Sequence, residues 1–340
     1  MSKVKVAVLD TGLDIYDNEF TEKYIYDPIL QLDDFNEVKI NDLNGHGTFV
    51  SKTILNVSKN VIIYPINIFS NYGKTSSLKL LNSLIKLLKS DIKIINISAT
   101  SINGKYEKEL NRVCNDLKNQ DKIIICSKHN RYSNKDSIPT IFPSVIGVEG
   151  HKNIYRDNEY LYKKGAKIQM NANSKDCFLR FRNEVTHFGK NSKACAVATG
   201  IIANIIKDNP LISFEELEKI LIKNSSSEYE LEKNLKTKNL FSGSNDKDLQ
   251  VEEKLINLIN IYFAKRKLDI NFIRKYGIMN SFTNIGKHNA YFFLKTINKE
   301  FNINISYKDI LLCDLEEIES LKKIIIYYLK NEKCNKVSSN

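Results

Sequence analysis

Val4-Lys5-Val6-Ala7-Val8-Leu9-Asp10-Thr11-Gly12 is the stretch on which the reading of the fold turns. From Val6 to Leu9 the apolar residues run on without polar alternation, as they do in a strand covered on both faces, and such strands belong to parallel sheets. The run delivers Asp10-Thr11-Gly12 to the carboxyl end of the strand, where open α/β sheets bind their ligands. Outward from it, β-branched runs recur at Val61–Ile68, Ile92–Ile97, Lys122–Cys126 and Ser144–Val148, with helical stretches such as Ser77–Lys89 and Tyr106–Asn119 between them. This alternation predicts an α/β domain over residues 1–225, a parallel sheet covered by helices. Residues 226–249 turn polar, with Ser225-Ser226-Ser227 and Ser242-Gly243-Ser244-Asn245-Asp246, which suits a linker. Beyond it, Val251–Lys265, Ala290–Phe301 and Asp314–Leu329 have helical spacing, so 250–333 reads as a small α-helical domain and 334–340 as a tail.

Composition narrows the function classes. At 340 residues the chain can hold two domains with real cores. Its net charge of +11, from 51 Lys+Arg against 40 Asp+Glu, is spread among Asn and Ile without an aromatic-interleaved basic patch, so nucleic-acid binding is not expected. No apolar run is long enough to span a membrane, and none is expected. The first apolar run is short and ends in an acid, unlike a secretory signal, so a cytoplasmic location is expected. The six cysteines are scattered without a CxxC pair and read as reduced.

Chemistry gathers at three points. Asp10 ends the first strand. Asn44-Gly45-His46-Gly47-Thr48-Phe49-Val50 sets a histidine between two glycines at the start of an amphipathic run, which leaves the imidazole free to project. Ser192-Lys193-Ala194-Cys195-Ala196-Val197-Ala198-Thr199-Gly200-Ile201-Ile202-Ala203 places a serine at the start of a helix of small residues, where backbone N–H groups and the helix dipole favour developing negative charge. The order Asp, His, Ser is one of those in which the serine-protease triad recurs.

On these motifs the sequence resembles the subtilisin-like serine proteases, the subtilases of peptidase family S8, from residue 4 to about 223. Asp10-Thr11-Gly12 matches the family's D-T/S-G, Gly45-His46-Gly47-Thr48-x-Val50 its G-H-G-T-x-V, and Ser192-x-Ala194-x-Ala196-x-x-x-Gly200 its serine motif. Ile95-Asn96-Ile97-Ser98 looks like the substrate strand, and Ile123–Asn130 like the strand ending in the oxyanion Asn. Ile138-Pro139 followed by Phe142-Pro143-Ser144-Val145-Ile146-Gly147-Val148 keeps the family's spacing. The resemblance implies a subtilisin-like sheet with helices on both faces and an endopeptidase mechanism. Ser192 would be the nucleophile, His46 the general base, Asp10 its orienter and Asn130 the oxyanion donor, with Ser98, Lys128 and His129 near the substrate. Neither a cofactor nor a metal is expected; the short Thr53–Asn60 segment lacks the calcium loop usual in the family, although Asp33-Asp34 or Asp42 offer carboxylates.

The chain departs from the pattern at Lys190 and Asn191, which replace Gly and Thr before the serine, at Ala196, which replaces Pro, and at His129, which replaces Gly. A bulky His129 beside Lys128 predicts a narrowed or repolarised pocket. The chain opens directly at the first core strand, so no propeptide is expected, and an uninhibited intracellular protease calls for narrow specificity, such as maturation of a peptide precursor. The helical region, about 250–332, faintly resembles acyl and peptidyl carrier proteins, with Ser281 as the nearest attachment serine, and would otherwise dock a partner protein. The competing function class is an inactive subtilase scaffold that binds a peptide or a synthase. A fluorophosphonate probe separates the two, labelling Ser192 in the first and nothing in the second.

Overall fold

In the computed structural model β1 (Val4–Asp10) is flanked on both sides by parallel partners, β2 (Val61–Asn67) and β3 (Ile94–Ile97), which explains its unbroken apolar run. The structure describes residues 3–20, 22–31, 41–69, 74–102, 104–132, 134–238 and 246–337. The sheet continues through β4 (Ile123–Ser127), β5 (Val145–Gly150), β7 (Met170–Ala172) and β6 (Tyr160–Tyr162), giving the order β2-β1-β3-β4-β5-β7-β6. Each neighbouring pair runs parallel except β6 with β7.

Alternation along β3 assigns the two faces. Ile95 and Ile97 join Leu9, Ile124 and Cys126 in a core closed by α2 (Ser77–Leu87) and α3 (Glu107–Asn119). Asn96 points the other way, where its side-chain amide donates to Thr199 Oγ1 (2.8 Å) on α4 (Lys190–Asp208). On that face α4 packs on α1 (His46–Val57). The two helices meet so closely that a Cβ at Gly200 would lie 2.5 Å from Cβ of Val57, and Asn204 donates to the Val57 carbonyl (3.1 Å). The parallel sheet with helices on both faces expected from the sequence is therefore the one present. α5 (Phe214–Lys223) follows α4 and opens with a capping box between Ser213 and Glu216.

Two compact units divide the chain: residues 1–174 with 189–235, and residues 175–188 with 236–340. The stretch 175–188, expected within the first domain, is a hairpin of β8 (Cys177–Phe181) and β9 (Glu184–Phe188) that belongs to the second unit. Its Phe178, 3% exposed, enters a core with Leu255 of α7 (Asp246–Tyr262), Ile273 of α8 (Ile270–Tyr276), Phe293 of α9 (Ala290–Phe301) and Leu321 of α10 (Ile318–Val337). The stretch expected as a linker carries a helix, α6 (Glu228–Lys238), because Ser227 and Glu230 exchange the hydrogen bonds of a capping box.

The second unit also buries a charge. Glu252, 6% exposed, accepts from Arg274 through both oxygens (3.1 Å each) and from Lys322 (2.9 Å), so its desolvation is met by two cations. Ser281 is exposed in the turn after α8, whose backbone is held by Asn280 through the N–H groups of Phe282 and Thr283. Among the described residues no helix is long and apolar enough to cross a membrane.

Candidate active site

The site is built at the carboxyl ends of the parallel strands. Asp10 is the last residue of β1 and fully buried. Thr11 N–H donates to Asp10 Oδ1 (2.8 Å), while Thr11 Oγ1 accepts from Gly47 N–H (2.9 Å), so the strand end is latched onto the start of α1. The second glycine of the His46 motif is a steric requirement: a Cβ on Gly47 would stand 2.3 Å from the Gly12 carbonyl oxygen and 3.2 Å from Cβ of Asp10. Gly45, at φ 93, supplies the left-handed turn that starts the helix.

His46 is thereby carried to Asp10. Its Nδ1 stands 2.8 Å from Oδ1 and 3.0 Å from Oδ2. A carboxylate only accepts, so Nδ1 carries the proton and Nε2 keeps a lone pair. Burial works against a charged ring, but the charge and hydrogen bond of Asp10, joined by the charge of Asp42, outweigh it and hold the His46 pKa above its ordinary value.

Asp42 has a second task. Oδ1 accepts from the N–H groups of Asn44 (2.9 Å) and Gly45 (2.8 Å), and Oδ2 from the N–H (2.9 Å) and hydroxyl (2.8 Å) of Thr48. A single buried carboxylate thus holds the turn that leads into α1 and the N–H of the helix's third residue. Both of its oxygens are occupied by these donors, and Asp33 and Asp34 lie outside the described residues. Among the described residues no cluster of three His, Cys, Asp or Glu side chains could hold a metal.

Ser192 lies in the first turn of α4 and is 5% exposed. Asn191 fixes this turn. Its side-chain amide donates to the Lys128 carbonyl (3.1 Å) beyond β4, its Oδ1 accepts from Gly150 N–H (2.9 Å) at the end of β5, and its own N–H donates to Asn130 Oδ1 (3.1 Å). With Oδ1 of the exposed Asn130 held in this way, its Nδ2 is the end left to act as donor. One turn after Ser192, burial first, then Cys126 and more weakly Asp10, push the Cys195 thiol far up, which keeps it neutral and unreactive.

The other expected site residues have partners of their own. Lys128 Nζ pairs with Glu149 (2.8 Å). His129 Nδ1 accepts from the N–H groups of Arg131 (3.0 Å) and Tyr132 (3.3 Å), so the ring props up the turn that holds Asn130. Ser98, at the end of β3, donates to Asn96 Oδ1 (3.4 Å). Sequence reasoning missed Asn191 as a tie and Asp42 as a cap. Asp42 was findable, since an acid just before a Gly-His helix start is a cap signal, whereas the partners of Asn191 come from distant segments and leave no local trace.

The comparisons agree with this architecture. The Subtilase family, peptidase S8, matches residues 1–250. A solved lanthipeptide protease superposes with a TM-score of 0.52 at 18% identity, over 64% of this chain and 78% of its own. A cold-adapted subtilisin-like serine proteinase gives a TM-score of 0.52 at 17% identity, over 65% of this chain and 82% of its own. At such identities the likeness establishes the fold. Among curated proteins none matches. The family match spans most of the sequence, including the strand end at Asp10 and the helix starts at His46 and Ser192, and the chain therefore belongs to the subtilase family.

Proposed function

We propose that this chain is a serine endopeptidase in which Asp10, His46 and Ser192 form the triad and Asn130 serves the oxyanion. The observation that carries the reading is the grip of both Asp10 oxygens on His46 Nδ1, which fixes the tautomer that a general base needs. Ser192 Oγ attacks the scissile carbonyl carbon as its proton passes to His46 Nε2. The carbonyl oxygen, now negative, accepts from Asn130 Nδ2 and from the backbone N–H of Ser192. On collapse the C–N bond breaks, His46 returns the proton to the leaving amine, and Ser192 is left as an ester. Water, deprotonated by His46, then attacks the ester carbon, the bond to Ser192 Oγ breaks, and His46 returns the proton to Oγ as the acid product leaves.

The substrate is a peptide or protein, taken with narrow specificity, as in maturation of a peptide precursor. Support for selectivity comes from Lys128 and His129, which precede Asn130 and are held by Glu149 and by backbone donors rather than being loose. Free thiols at Cys114, Cys126, Cys177, Cys195 and Cys313 suit an intracellular, reducing setting. The test is covalent labelling by a fluorophosphonate, expected for the native chain and absent for Ser192→Ala. A folded native chain that takes no label would overturn catalysis and favour a peptide-binding scaffold.

A further inference from the structure

Between α7 and α8 the chain carries three exposed cations in a row, Lys265, Arg266 and Lys267. Folding brings aromatic rings to them from further along the chain. The Arg266 guanidinium stands over the ring of Phe282 (4.7 Å to its centroid), in the turn after α8, and 5.9 Å from that of Phe272 on α8. Phe272 meets Phe282 edge to face (5.4 Å) and lies 4.7 Å from Tyr276, whose ring has Lys275 over it (5.1 Å). Lys265 N–H donates to the Phe282 carbonyl (3.1 Å), which fixes the basic segment to the ring-bearing turn. The result is one ladder of cations and rings on the second unit, with Phe282 45% and Tyr276 55% exposed. Other cations of this unit are neutralised, Arg274 and Lys322 by Glu252 and Lys287 by Asp176. Among the described residues no carboxylate pairs with Lys265, Arg266, Lys267 or Lys275.

Cations without counter-charges, set beside exposed rings, repel one another and leave apolar surface in water, and an acidic, partly apolar ligand relieves both. A guanidinium over a ring uses its face there and keeps its N–H edge for an acceptor, and a carboxylate fits that edge through two parallel hydrogen bonds. We propose that this ladder is a docking site for an acidic segment of a partner protein, with an Asp or Glu carboxylate on Arg266 and a neighbouring apolar side chain against Phe282 and Tyr276. The positive surface is too short for a nucleic acid. The groove lined by Lys275 and Tyr276 also carries Glu316 and Glu317, which oppose a phosphate backbone, and Arg266 stands over the Phe282 ring where a base would stack. The site lies wholly on the unit that carries none of Asp10, His46 and Ser192, so the proposal is independent of the peptidase reading and its occupant is held, not cut.

The experiment uses the full chain carrying Ser192→Ala, so that no probe is cleaved, and reads the fluorescence anisotropy of a labelled peptide in which Glu and Leu alternate. Binding is expected, weakened by added salt and lost when Gln replaces Glu in the peptide. Arg266→Gln should weaken it by roughly tenfold or more, as the loss of a central Arg anchor does. Arg266→Lys, which keeps the charge without the planar fork, recovers only part of the affinity, and Phe282→Ala weakens binding as well. Lys330→Gln, which alters an exposed lysine on α10, changes nothing. Equal binding of the Gln peptide, or native affinity in Arg266→Gln, overturns the proposal. Tighter binding of an oligothymidylate or of phosphatidylserine vesicles, lost in Arg266→Gln, overturns it in favour of a nucleic acid or a membrane. Cleavage of the acidic peptide by the native chain that slows in Arg266→Gln overturns the partner assignment, because the occupant is then a substrate. If Arg266→Gln fails to fold, Lys267→Gln, at an exposed side chain with no other contact, takes its place.

Discussion

The starts of α1 and α4 carry the two side chains that would exchange a proton, and they are finished in opposite ways. The start of α1 has a carboxylate beside it, because Asp42 accepts from the N–H groups of Asn44 and Gly45 just before the helix and from the N–H and hydroxyl of Thr48 in its first turn. The start of α4 has no side-chain cap and no acid in its first turn, and is tied down by the Ser174 carbonyl and the amide oxygen of Asn130, both neutral acceptors. A nearby negative charge favours the imidazolium that His46 becomes, and the same charge beside Ser192 would oppose the oxyanion. One helix start is thus set for a cation and the other for an anion.

The comparison can be broken most severely at Ser192. Ser192→Ala should reduce kcat by about six orders of magnitude while the thermal midpoint stays near that of the native chain; a residual rate within tenfold of native would remove α4 from the chemistry. Asp10→Asn should follow, at about 10⁴ in kcat, since an amide reverses the tautomer that the carboxylate imposes on His46. Asn130→Ala should cost about 10²–10³ in kcat with little change in KM, and a loss falling on KM alone would make Asn130 a substrate contact instead.

The smallest effects sharpen the contrast through pH. His46 must be neutral to accept the proton, so cleavage should rise through a pKa above about 6.5 and stay high into mild alkali. In Asp42→Asn the acid limb should move to lower pH, because one of the charges that raise His46 is gone; an unmoved limb would show that Asp42 is only a cap. The same raised pKa affects stability with a definite sign. Protonated His46 favours the folded chain fully below about 6.5, its unfolded value, and that contribution is lost as pH rises through the folded value. The pH dependence of the thermal midpoint in this window should flatten in His46→Gln.

Local chemistry was the legible part of the sequence. The short β-branched apolar run from Val6 to Leu9, repeated between helical stretches, let β1 and the α/β sheet be read, and the glycines around His46 marked a helix start from which the imidazole projects; the crowding at Gly47 shows only in the folded chain. Asn191 was illegible in its role, since its partners at Lys128, Asn130 and Gly150 come together only in the folded sheet. Ser225-Ser226-Ser227 suggested a linker because serine is common in linkers and at helix caps alike, and the spacing from Ser227 to Glu230 was the overlooked discriminator. The allegiance of the hairpin was hidden for a different reason. Cys177–Phe181 and Glu184–Phe188 alternate like any two-stranded ribbon, and nothing in that pattern names the core that Phe178 will enter.

That allegiance imposes an order on synthesis. Chains emerge from the ribosome from the amino end and tend to fold domain by domain. Phe178 appears long before Leu255, Phe293 and Leu321, the residues among which it is buried. Until the last helix has been made, the hairpin has no core to enter and the segment leading into Gly189 is held only from one side. A nascent first unit would therefore carry the hairpin before the core that receives Phe178 has been made.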